Sequence, residues 1–421
     1  MERYSEYKDT GVQWLGEIPG HWKTVRVKAL LSERVDKSDT GLEEPLSMSQ
    51  KYGIIPTKEM DVVPNMASTF IGAKRVFKRD LVFNKLKAHL GVFAISKYDG
   101  LVSPDYAVYT PNERTYLPFM EYVFHSPLYI GEFTRRATGV AIGLTRLYTN
   151  GLFAIPFLYP PIEEQHSIVS YLDDKCGKID KMLEGKQKQI ELLAEMKQRI
   201  IADAVTHGLN PDVKMKATNI PWLPEIPEHW EMDSLRRFLR IFTEKGHGDK
   251  QLLSVTREQG VIERNTDSTE DNHNFIPEDL SGYKYVQVGD FVINKMKSWQ
   301  GSYGVSEYEG IVSPAYFTCK LQGVDKHFFS TAIRSKIYVS FFARYSKGIR
   351  VDQWDLSPVA LKSIPFALPP LPEQRAIVSY ITDKTSKIDT LTSKLQQEIE
   401  SIKEYKQRLI SDVVTGQIKV C

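Results

Sequence analysis

The chain has 421 residues, of which 42% are hydrophobic and 26% charged, and a formal net charge of +2. One core rarely serves more than about 200 residues, so at least two domains are expected, and so small a net charge does not by itself indicate a polyanionic partner. No apolar run approaches the roughly 20 residues that cross a bilayer, and the opening MERYSEYKDTG lacks the apolar stretch of a secretory signal, so we expect a cytoplasmic protein without a membrane partner.

A duplication covers most of the chain. The spacing between the copies is nearly constant and far exceeds the about 20 to 50 residues of solenoid repeats, so each half is predicted to be a complete module. Four segments recur in the same order: WLGEIPGHW (14–22) as WLPEIPEHW (222–230), DLVFNKLKAHLGVFAISKYDGLVSPDY (80–106) as DFVINKMKSWQGSYGVSEYEGIVSPAY (290–316), PPIEEQHSIVSYLDDKCGKID (160–180) as PPLPEQRAIVSYITDKTSKID (369–389), and KQRIIADAVTHG (197–208) as KQRLISDVVTGQ (406–417).

Each module begins with a globular part, at residues 1–160 and 211–369. Short runs rich in β-branched and aromatic residues, such as GVFAIS, YAVYT and GDFVINKMK, are typical of strands bounded by turns. Longer periodic stretches, such as PFMEYVFHSPLYIGEFTRRA and HFFSTAIRSKIYVSFFARYS, indicate helices. A mixed α/β (α+β) domain is therefore predicted for each part.

A long helix is predicted after each globular part, at residues 161–210 and 370–421. The proline pair before it removes backbone donors and ends the preceding strand, and Pro372 fits the first helical position. No further proline interrupts the pattern before Gly208 and Gly416, and glycine commonly ends a helix. Each helix should hold about 40 residues and span about 60 Å.

Apolar residues on both helices recur at the 3–4 spacing of a coiled coil, with breaks at Lys186 and Lys197 in the first. A lone helix with one apolar stripe is not stable in water, so we expect the two helices to pack as an antiparallel coiled coil. The predicted seam comprises Leu172, Ile179, Leu183, Ile190, Leu193 and Ile200 in the first helix, and Ile381, Ile388, Leu395, Ile399, Ile402 and Leu409 in the second.

Motifs of catalysis are missing from the sequence. It contains no GxxxxGK[ST] phosphate loop, no GxGxxG after a strand and no Asn/Asp-Pro-Pro-Tyr/Phe motif of an amino-methyltransferase. Cys176, Cys319 and Cys421 fall in no metal-binding spacing, and the nine histidines form no HxxxH or HExxH pattern. We therefore expect no catalytic residue, no metal site and no cofactor in this chain.

Positive charge is concentrated in two kinds of segment. Residues 74–89 contain six Lys/Arg and one acid, and residues 334–350 contain five Lys/Arg and no acid. Such clusters suit a surface that contacts phosphates, although a solvated face explains any single cluster equally well.

The repeated WLxEIPxHW opening, the PPxxEQ helix start and the KQRxI ending together resemble the specificity (S) subunit of type I restriction-modification systems, over essentially the whole chain. The resemblance implies two target recognition domains joined by conserved spacer helices, and a bipartite, asymmetric target in double-stranded DNA. It also implies a subunit without catalysis of its own. Two modification subunits and two restriction subunits would be its partners and would use S-adenosylmethionine, ATP and Mg²⁺.

Candidate DNA-contacting residues lie near Asn84 and Asn294 and in the glycine loops around Gly139 and Gly348. The alternative is that the Asn-Lys turns are structural features shared by both halves, because identical residues cannot encode two different half-sites. The candidates are Lys85, Lys87, His89, Thr138 and Arg146 in the first half, and Lys295, Lys297, Trp299, Lys347, Arg350 and Gln353 in the second.

Four repeated tryptophans, Trp14, Trp22, Trp222 and Trp230, are predicted to pack in the scaffold, whereas Trp299 and Trp354 occur in one half only and are left open. Two other functions also stay open at this point. The chain could itself be a methyltransferase or nuclease, or it could be a coiled-coil interaction protein with no role on DNA.

Overall fold

The computed structural model describes residues 2–61, 69–139, 145–265, 277, 279–348 and 354–420. Its contacts divide the chain into two compact units. Unit 1 holds Met1–Gln187 with Gln396–Cys421, and unit 2 holds Lys188–Leu395. Each unit therefore contains one globular part and a portion of both long helices.

Unit 1 is built from short strands, three short helices and portions of both long helices. Turns of 3-10 helix lie at Val27–Ala29, Thr57–Glu59 and Ala88–Leu90. The strands are β1 (Tyr7–Asp9), β2 (Glu17–Pro19), β3 (Lys23–Arg26), β4 (Leu31–Glu33), β5 (Leu46–Ser49), β6 (Gly53–Pro56), β7 (Lys74–Val76), β8 (Leu81–Asn84), β9 (Phe93–Ile95), β10 (Gly100–Val102), β11 (Tyr106–Pro111) and β12 (Pro156–Tyr159), and the helices are α1 (Leu117–His125), α2 (Pro127–Arg136), α3 (Thr149–Phe153) and α4 (Ile162–His207), which continues into unit 2.

Unit 2 repeats this order of elements. Turns of 3-10 helix lie at Leu235–Arg237 and Ser298–Gln300. The strands are β13 (Met215–Ile220), β14 (Leu223–Pro227), β15 (Glu231–Ser234), β16 (Leu239–Phe242), β17 (Leu253–Thr256), β18 (Gly260–Glu263), β19 (Lys284–Val286), β20 (Phe291–Ile293), β21 (Tyr303–Val305), β22 (Gly310–Val312), β23 (Phe317–Leu321) and β24 (Pro365–Leu368), and the helices are α5 (Lys326–Ile333), α6 (Lys336–Tyr345), α7 (Pro358–Ser363) and α8 (Leu371–Val414), which ends in unit 1.

The two units share one sheet topology. A four-stranded antiparallel sheet has the order β4-β11-β8-β9 in unit 1 and β16-β23-β20-β21 in unit 2. Antiparallel strand pairs accompany it in both: β7 with β10 and β5 with β6 in unit 1, and β19 with β22 and β17 with β18 in unit 2. The predicted mixed fold and the internal repeat are therefore confirmed.

Strand β8 shows why the sheet forms a middle layer. Its residues are buried on both faces: Leu81 and Phe83 pack into the main core with the helices, and Val82 packs into a second core under the β5–β6 hairpin. Strand β20 does the same, with Phe291 in the main core and Val292 in the second. A strand covered on both sides needs a continuous apolar run, which explains why LVF and FVI do not alternate with polar residues.

The long helices end where the sequence predicts. Gly208 and Gly416 follow α4 and α8 with φ values of +75° and +72°, a left-handed conformation that glycine adopts without a Cβ clash. The predicted start of α8 was wrong by one residue. The helix begins at Leu371, so Pro372 is its second residue, where the absent N–H still costs no intrahelical hydrogen bond.

The predicted coiled coil is present in each unit. In unit 1 Leu172 and Ile179 of α4 belong to the same core as Leu409 of α8, with Leu183, Ile399 and Ile402 further along the helices. In unit 2 Ile381 of α8 packs with the end of α4, followed by the buried Ile388 and Leu395 and the half-buried Ile190, Leu193 and Ile200.

The lysines that interrupt the apolar stripe form ion pairs between the helices. In unit 1 Lys406 Nζ lies 2.6 Å from Asp180 Oδ1, and Lys186 pairs with Glu398. In unit 2 Lys197 Nζ lies 2.6 Å from Asp389 Oδ1. From Asp180 to Lys186 on α4 the residue number rises, whereas from Lys406 to Glu398 on α8 it falls, so the helices are antiparallel in unit 1. Polar positions within an apolar seam favour one register over its alternatives.

The repeated motifs meet at the helix ends. In unit 1 His21 Nε2 lies 2.8 Å from Glu164 Oε2, and in unit 2 His229 Nε2 lies 2.7 Å from Glu373 Oε2. The next residue of each PPxxEQ motif is a buried glutamine whose amide donates back to a proline carbonyl, Gln165 to Pro160 at 2.9 Å in unit 1. In unit 2 the Gln374 amide makes the same bond to the Pro369 carbonyl, at 2.8 Å. The WLxEIPxHW and PPxxEQ motifs therefore join the globular part to the helix.

Candidate nucleic-acid interface

The first candidate segment is a tight turn at the end of the central strand. In unit 1 Asn84 Oδ1 accepts from the Leu86 backbone N–H at 3.1 Å, and the Asn84 carbonyl accepts from Lys87 N–H at 3.0 Å. Asn294 makes the same two bonds in unit 2, at 3.2 and 3.0 Å. Both asparagines are buried, so the alternative interpretation holds for them: they are structural residues of the fold.

The candidate side chains of this turn are accessible. Lys87 and Lys297 are exposed, and Lys85 and Lys295 are half-buried. His89 and Trp299 follow in a 3-10 turn that ends at a left-handed glycine, Gly91 with φ +74° and Gly301 with φ +94°. The fold thus presents different side chains, His89 and Trp299, from the same backbone position in the two units.

The second candidate segment is a loop closed by a two-residue bridge. Thr138 and Arg146 exchange backbone hydrogen bonds of 3.0 and 2.9 Å in unit 1, and Lys347 and Asp355 exchange bonds of 3.0 and 2.9 Å in unit 2. Thr138 and Lys347 are exposed. Arg350 and Gln353 are outside the described residues, as are 140–144.

The structure brings the two segments together although they are distant in sequence. The Leu147 N–H, next to the loop, donates to the Lys85 carbonyl at 3.0 Å. The Leu356 N–H donates to the Lys295 carbonyl at 3.1 Å in the same way. In each unit the turn and the loop therefore form one surface, at the end of the sheet where the central strand stops.

Two acidic residues on this surface were not identified from the sequence. Arg146 Nη2 lies 3.5 Å from Asp105 Oδ1, and Lys295 Nζ lies 3.1 Å from Asp355 Oδ2. All four side chains are at least partly solvent-exposed, so each pair holds a cation in place at little net stabilisation. Lys87 and Lys297 have no acidic partner within 4.0 Å in the described ranges, which leaves their charges available to a ligand.

The tryptophans divide as the repeat predicts. Trp22 and Trp230 are fully buried, while Trp14 packs edge-on against Tyr129 and Trp222 against Phe341. Packing in the scaffold is thus confirmed for all four.

The two tryptophans that occur in one half only, Trp299 and Trp354, lie at the candidate nucleic-acid interface of unit 2. The rings of Trp299 and Trp354 are 5.1 Å apart at 57°, and both residues are half-buried. Because Trp354 directly precedes Asp355, this aromatic contact joins the turn to the loop. In unit 1 the matching positions are His89 and Thr145, so the two surfaces differ in apolar content as well as in charge.

Neither a metal-holding group nor a membrane-spanning helix is present among the described residues. Outside the gaps at 62–68, 140–144, 266–276, 278 and 349–353, no three His, Cys, Asp or Glu side chains are grouped so that they could hold a metal ion. Neither long helix, nor any other in the described part, has a stretch apolar enough to span a bilayer.

Comparison with family models gives no match. Two curated relatives from Methanocaldococcus jannaschii align with the chain. The type I restriction enzyme MjaVIII specificity subunit is 27% identical over an alignment of 279 positions, which covers 62% of this chain and 61% of the relative. The chain thus spans less than two thirds of that relative's length. The putative type I restriction enzyme MjaX specificity subunit is 23% identical over an alignment of 438 positions, which covers 96% of this chain and 96% of the relative.

Two solved structures share the fold. One comes from work on the complex assembly and conformational transition of the type I R-M system. It superposes with a TM-score of 0.67 at 15% identity and covers 95% of this chain and 99% of its own. The other is the HsdS subunit from Thermoanaerobacter tengcongensis, with a TM-score of 0.50, 14% identity and coverage of 95% and 98%. The duplicated motifs and the two curated relatives therefore make the chain similar to the specificity subunits of type I restriction-modification systems, and the two solved structures share its fold.

Proposed function

We propose that this chain is the non-catalytic subunit that selects the DNA sequence of a type I restriction-modification complex, through one half-site for each unit. The observation that carries this proposal is the joining of the basic turn to the basic loop by the same backbone hydrogen bond in both units, Leu147 to Lys85 and Leu356 to Lys295. A conserved frame that displays different side chains is what recognition of two unrelated half-sites requires.

The differences between the surfaces support an asymmetric target. Within the loop bridge, Arg146 of unit 1 stands where unit 2 has Asp355, and Thr138 stands where unit 2 has Lys347. An arginine favours guanine edges and an aspartate favours the amino group of cytosine, so equivalent positions select different bases. The target is then bipartite, with two half-sites of different sequence.

The long helices supply the docking surface for the modification subunits in this proposal. Several large apolar side chains on them are about half exposed: Met182 and Tyr405 in unit 1, and Leu192, Met196 and Leu391 in unit 2. Exposed apolar side chains of this size are common where a partner covers a helix. Because the helices carry an internal repeat, two similar docking places would accept two identical subunits.

Catalysis and cofactors are assigned to the partners. Modification subunits would supply methyl transfer with S-adenosylmethionine, and restriction subunits would supply the ATP- and Mg²⁺-dependent steps. The competing proposal, that the chain is itself an enzyme, is tested by incubating the purified chain alone with DNA, Mg²⁺ and S-adenosylmethionine, where any turnover would support it.

The main test maps methylated adenines after reaction of DNA with the chain and its modification subunit. We expect one bipartite sequence, and we expect Trp299→His, which gives unit 2 the residue of unit 1, to alter preference in one half-site only. Lys97→Gln, at an exposed lysine on the opposite end of the sheet, is the control and should leave the sequence unchanged. Changes in both half-sites by Trp299→His, or protection of no specific sequence, would contradict the proposal; the second result would favour a coiled-coil interaction protein without a role on DNA.

A further inference from the structure

Three lysines from separate segments meet beneath the candidate interface of unit 1. Lys37 and Lys74 are partners in an antiparallel backbone bridge. Lys74 Nζ donates to the Tyr106 carbonyl at 2.7 Å, and Tyr106 pairs with Asn84 across the β11–β8 ladder. Lys85 follows Asn84 directly, so all three lysines lie at the end of the sheet that carries the candidate turn.

Unit 2 contains the same arrangement. Lys284 Nζ donates to the Tyr316 carbonyl at 2.5 Å, and Asn294 Nδ2 lies 3.3 Å from Tyr316 Oη, immediately before Lys295. The Tyr285 N–H donates to the Glu244 carbonyl at 2.8 Å, which places Lys245 beside Lys284. The two lysine triads, Lys37–Lys74–Lys85 and Lys245–Lys284–Lys295, are thus equivalent in position.

The triads concentrate positive charge that carboxylates offset only in part: Asp105 opposes the lowering of the pKa of Lys74, and Asp355 Oδ2 lies 3.1 Å from Lys295 Nζ. Burial lowers the pKa of Lys74, and the neighbouring Lys85 and Lys37 lower it further, against the opposing effect of Glu33 at 3.9 Å. Burial likewise lowers the pKa of Lys284, followed by Lys245, with a smaller contribution from Lys295. No carboxylate lies within 4.0 Å of Lys284 Nζ in the described part of the chain. Like charges held this closely repel one another, and a bound anion relieves that repulsion.

We propose that each triad binds a phosphate of the DNA backbone and fixes the position of its unit on the duplex without regard to sequence. This inference rests on the proposed function and extends it to four lysines outside the candidate set, Lys37, Lys74, Lys245 and Lys284. The lysines recur unchanged in both units, whereas candidate side chains such as His89 and Trp299 differ, so the lysines cannot distinguish two half-sites. A phosphate is present at every base pair, and it is the charged DNA group that both units meet in the same form.

Within each triad the lysines have separate roles. Lys37 and Lys245 are exposed and can contact the phosphate directly. Lys74 is 12% exposed in its side chain and is held by a carbonyl, so it adds a fixed charge at short range and does not need to reorganise on binding. A purely structural role would explain Lys74 and Lys284. It would not explain the exposed lysine that recurs beside each of them, Lys37 in unit 1 and Lys245 in unit 2.

The test measures binding of the full chain, alone and together with its modification subunit, to a duplex of random sequence between about 50 and 200 mM salt. We expect Lys37→Gln and Lys245→Gln each to weaken binding and to lower the slope of log K against log salt by about 1. In the double variant the slope should fall by about 2. Half-site preference in methylation should not change. Lys74→Met and Lys284→Met should give the same loss of slope where thermal melting shows an intact fold.

The control is Lys97→Gln, which removes an exposed lysine of unit 1 at the opposite end of strand β8 and should leave the slope unchanged. If Lys37→Gln and Lys245→Gln behave like this control while the wild-type chain binds, the triads are not phosphate sites and the proposed function stands. A changed half-site preference would overturn the sequence-independent role. Absence of duplex binding by the wild-type chain and its complex would overturn the proposed function together with this inference.

Discussion

Comparison of the two units separates the residues that build the shared fold from the residues that differ on its exposed surface. The His–Glu contact at the helix start, the glutamine that folds back on the proline pair and the Asn turn are the same in both units. The side chains that the turn and the loop present, His89 against Trp299 and Arg146 against Asp355, are different. In the proposed function, repetition within this chain marks structural and sequence-independent roles, and divergence on an exposed frame marks specificity.

The strongest test of structural equivalence concerns the two buried tryptophans. Trp22→Ala and Trp230→Ala each remove a fully buried indole, so each should lower the free energy of unfolding by about 3–5 kcal/mol. Chemical denaturation with a probe in each unit measures the effect. The matched control is Trp14→Ala, at a half-buried site, which should cost less. A loss confined to one of the two buried sites would show that the units are not equivalent.

The next largest effect distinguishes the two helix ends. A Cβ at Gly416 would lie 2.5 Å from the Pro19 ring, whereas a Cβ at Gly208 would first meet Glu373 Oε1 at 2.9 Å, the end of a flexible side chain. Both glycines have positive φ, which alone costs an alanine about 1–2 kcal/mol. We expect Gly416→Ala to destabilise by about 2–4 kcal/mol and Gly208→Ala by about 1–2 kcal/mol, measured by thermal unfolding. Equal losses would mean that the proline ring moves aside freely.

A smaller effect concerns the buried Glu164 in unit 1. Burial raises its pKa, but hydrogen bonds from Tyr4 and His21 outweigh burial, and the net pKa is below the ordinary value of 4.5. A carboxylate with a lowered folded-state pKa stabilises the fold above its ordinary pKa, and this contribution is lost as pH falls through the folded value. Glu164→Gln should cost about 1–3 kcal/mol at neutral pH and flatten the acid side of the stability profile below about pH 4.5.

The control for this prediction is Glu163→Gln, at the exposed neighbouring position, which should leave the profile as it is. An acid limb of unchanged steepness in the Glu164 variant would show that another carboxylate sets the acid sensitivity.

Much of the scaffold could be predicted from the sequence, because its signals are local and repeated. The coiled-coil stripe and the glycines after α4 and α8 need no tertiary information. The stretch 118–137 was predicted as one helical segment, but the structure divides it at Ser126, which is extended (ψ 146°) before Pro127. Proline disfavours the helical conformation of the residue before it, so this break was available in the sequence.

The candidate binding surface was only partly predictable. Its two basic segments were recognised separately, but their joining through Leu147 and Lys85 depends on the tertiary fold. The acidic partners Asp105 and Asp355 lie outside the basic runs at 74–89 and 334–350, so those runs did not indicate them. The signal that could have identified the lysine triads was identity between copies at Lys37 and Lys245, where the flanking residues differ.

The smallest expected effect tests an asymmetry within the coil. Lys186 pairs with Glu398 in unit 1, but the repeat places Leu395 and Gln189 at the corresponding positions of unit 2. An exposed ion pair contributes about 0–1 kcal/mol, and a leucine in the seam recovers a similar amount by burial, so Lys186→Leu should change the free energy of unfolding by less than about 1 kcal/mol. Lys406→Leu is the matched comparison, since its counterpart Lys197 is also paired, with Asp389. We expect Lys406→Leu to be the more costly of the two in chemical denaturation, because it removes a pair that both units retain. A larger loss for Lys186→Leu would mean that the asymmetric pair, rather than the repeated one, fixes the register of the helices.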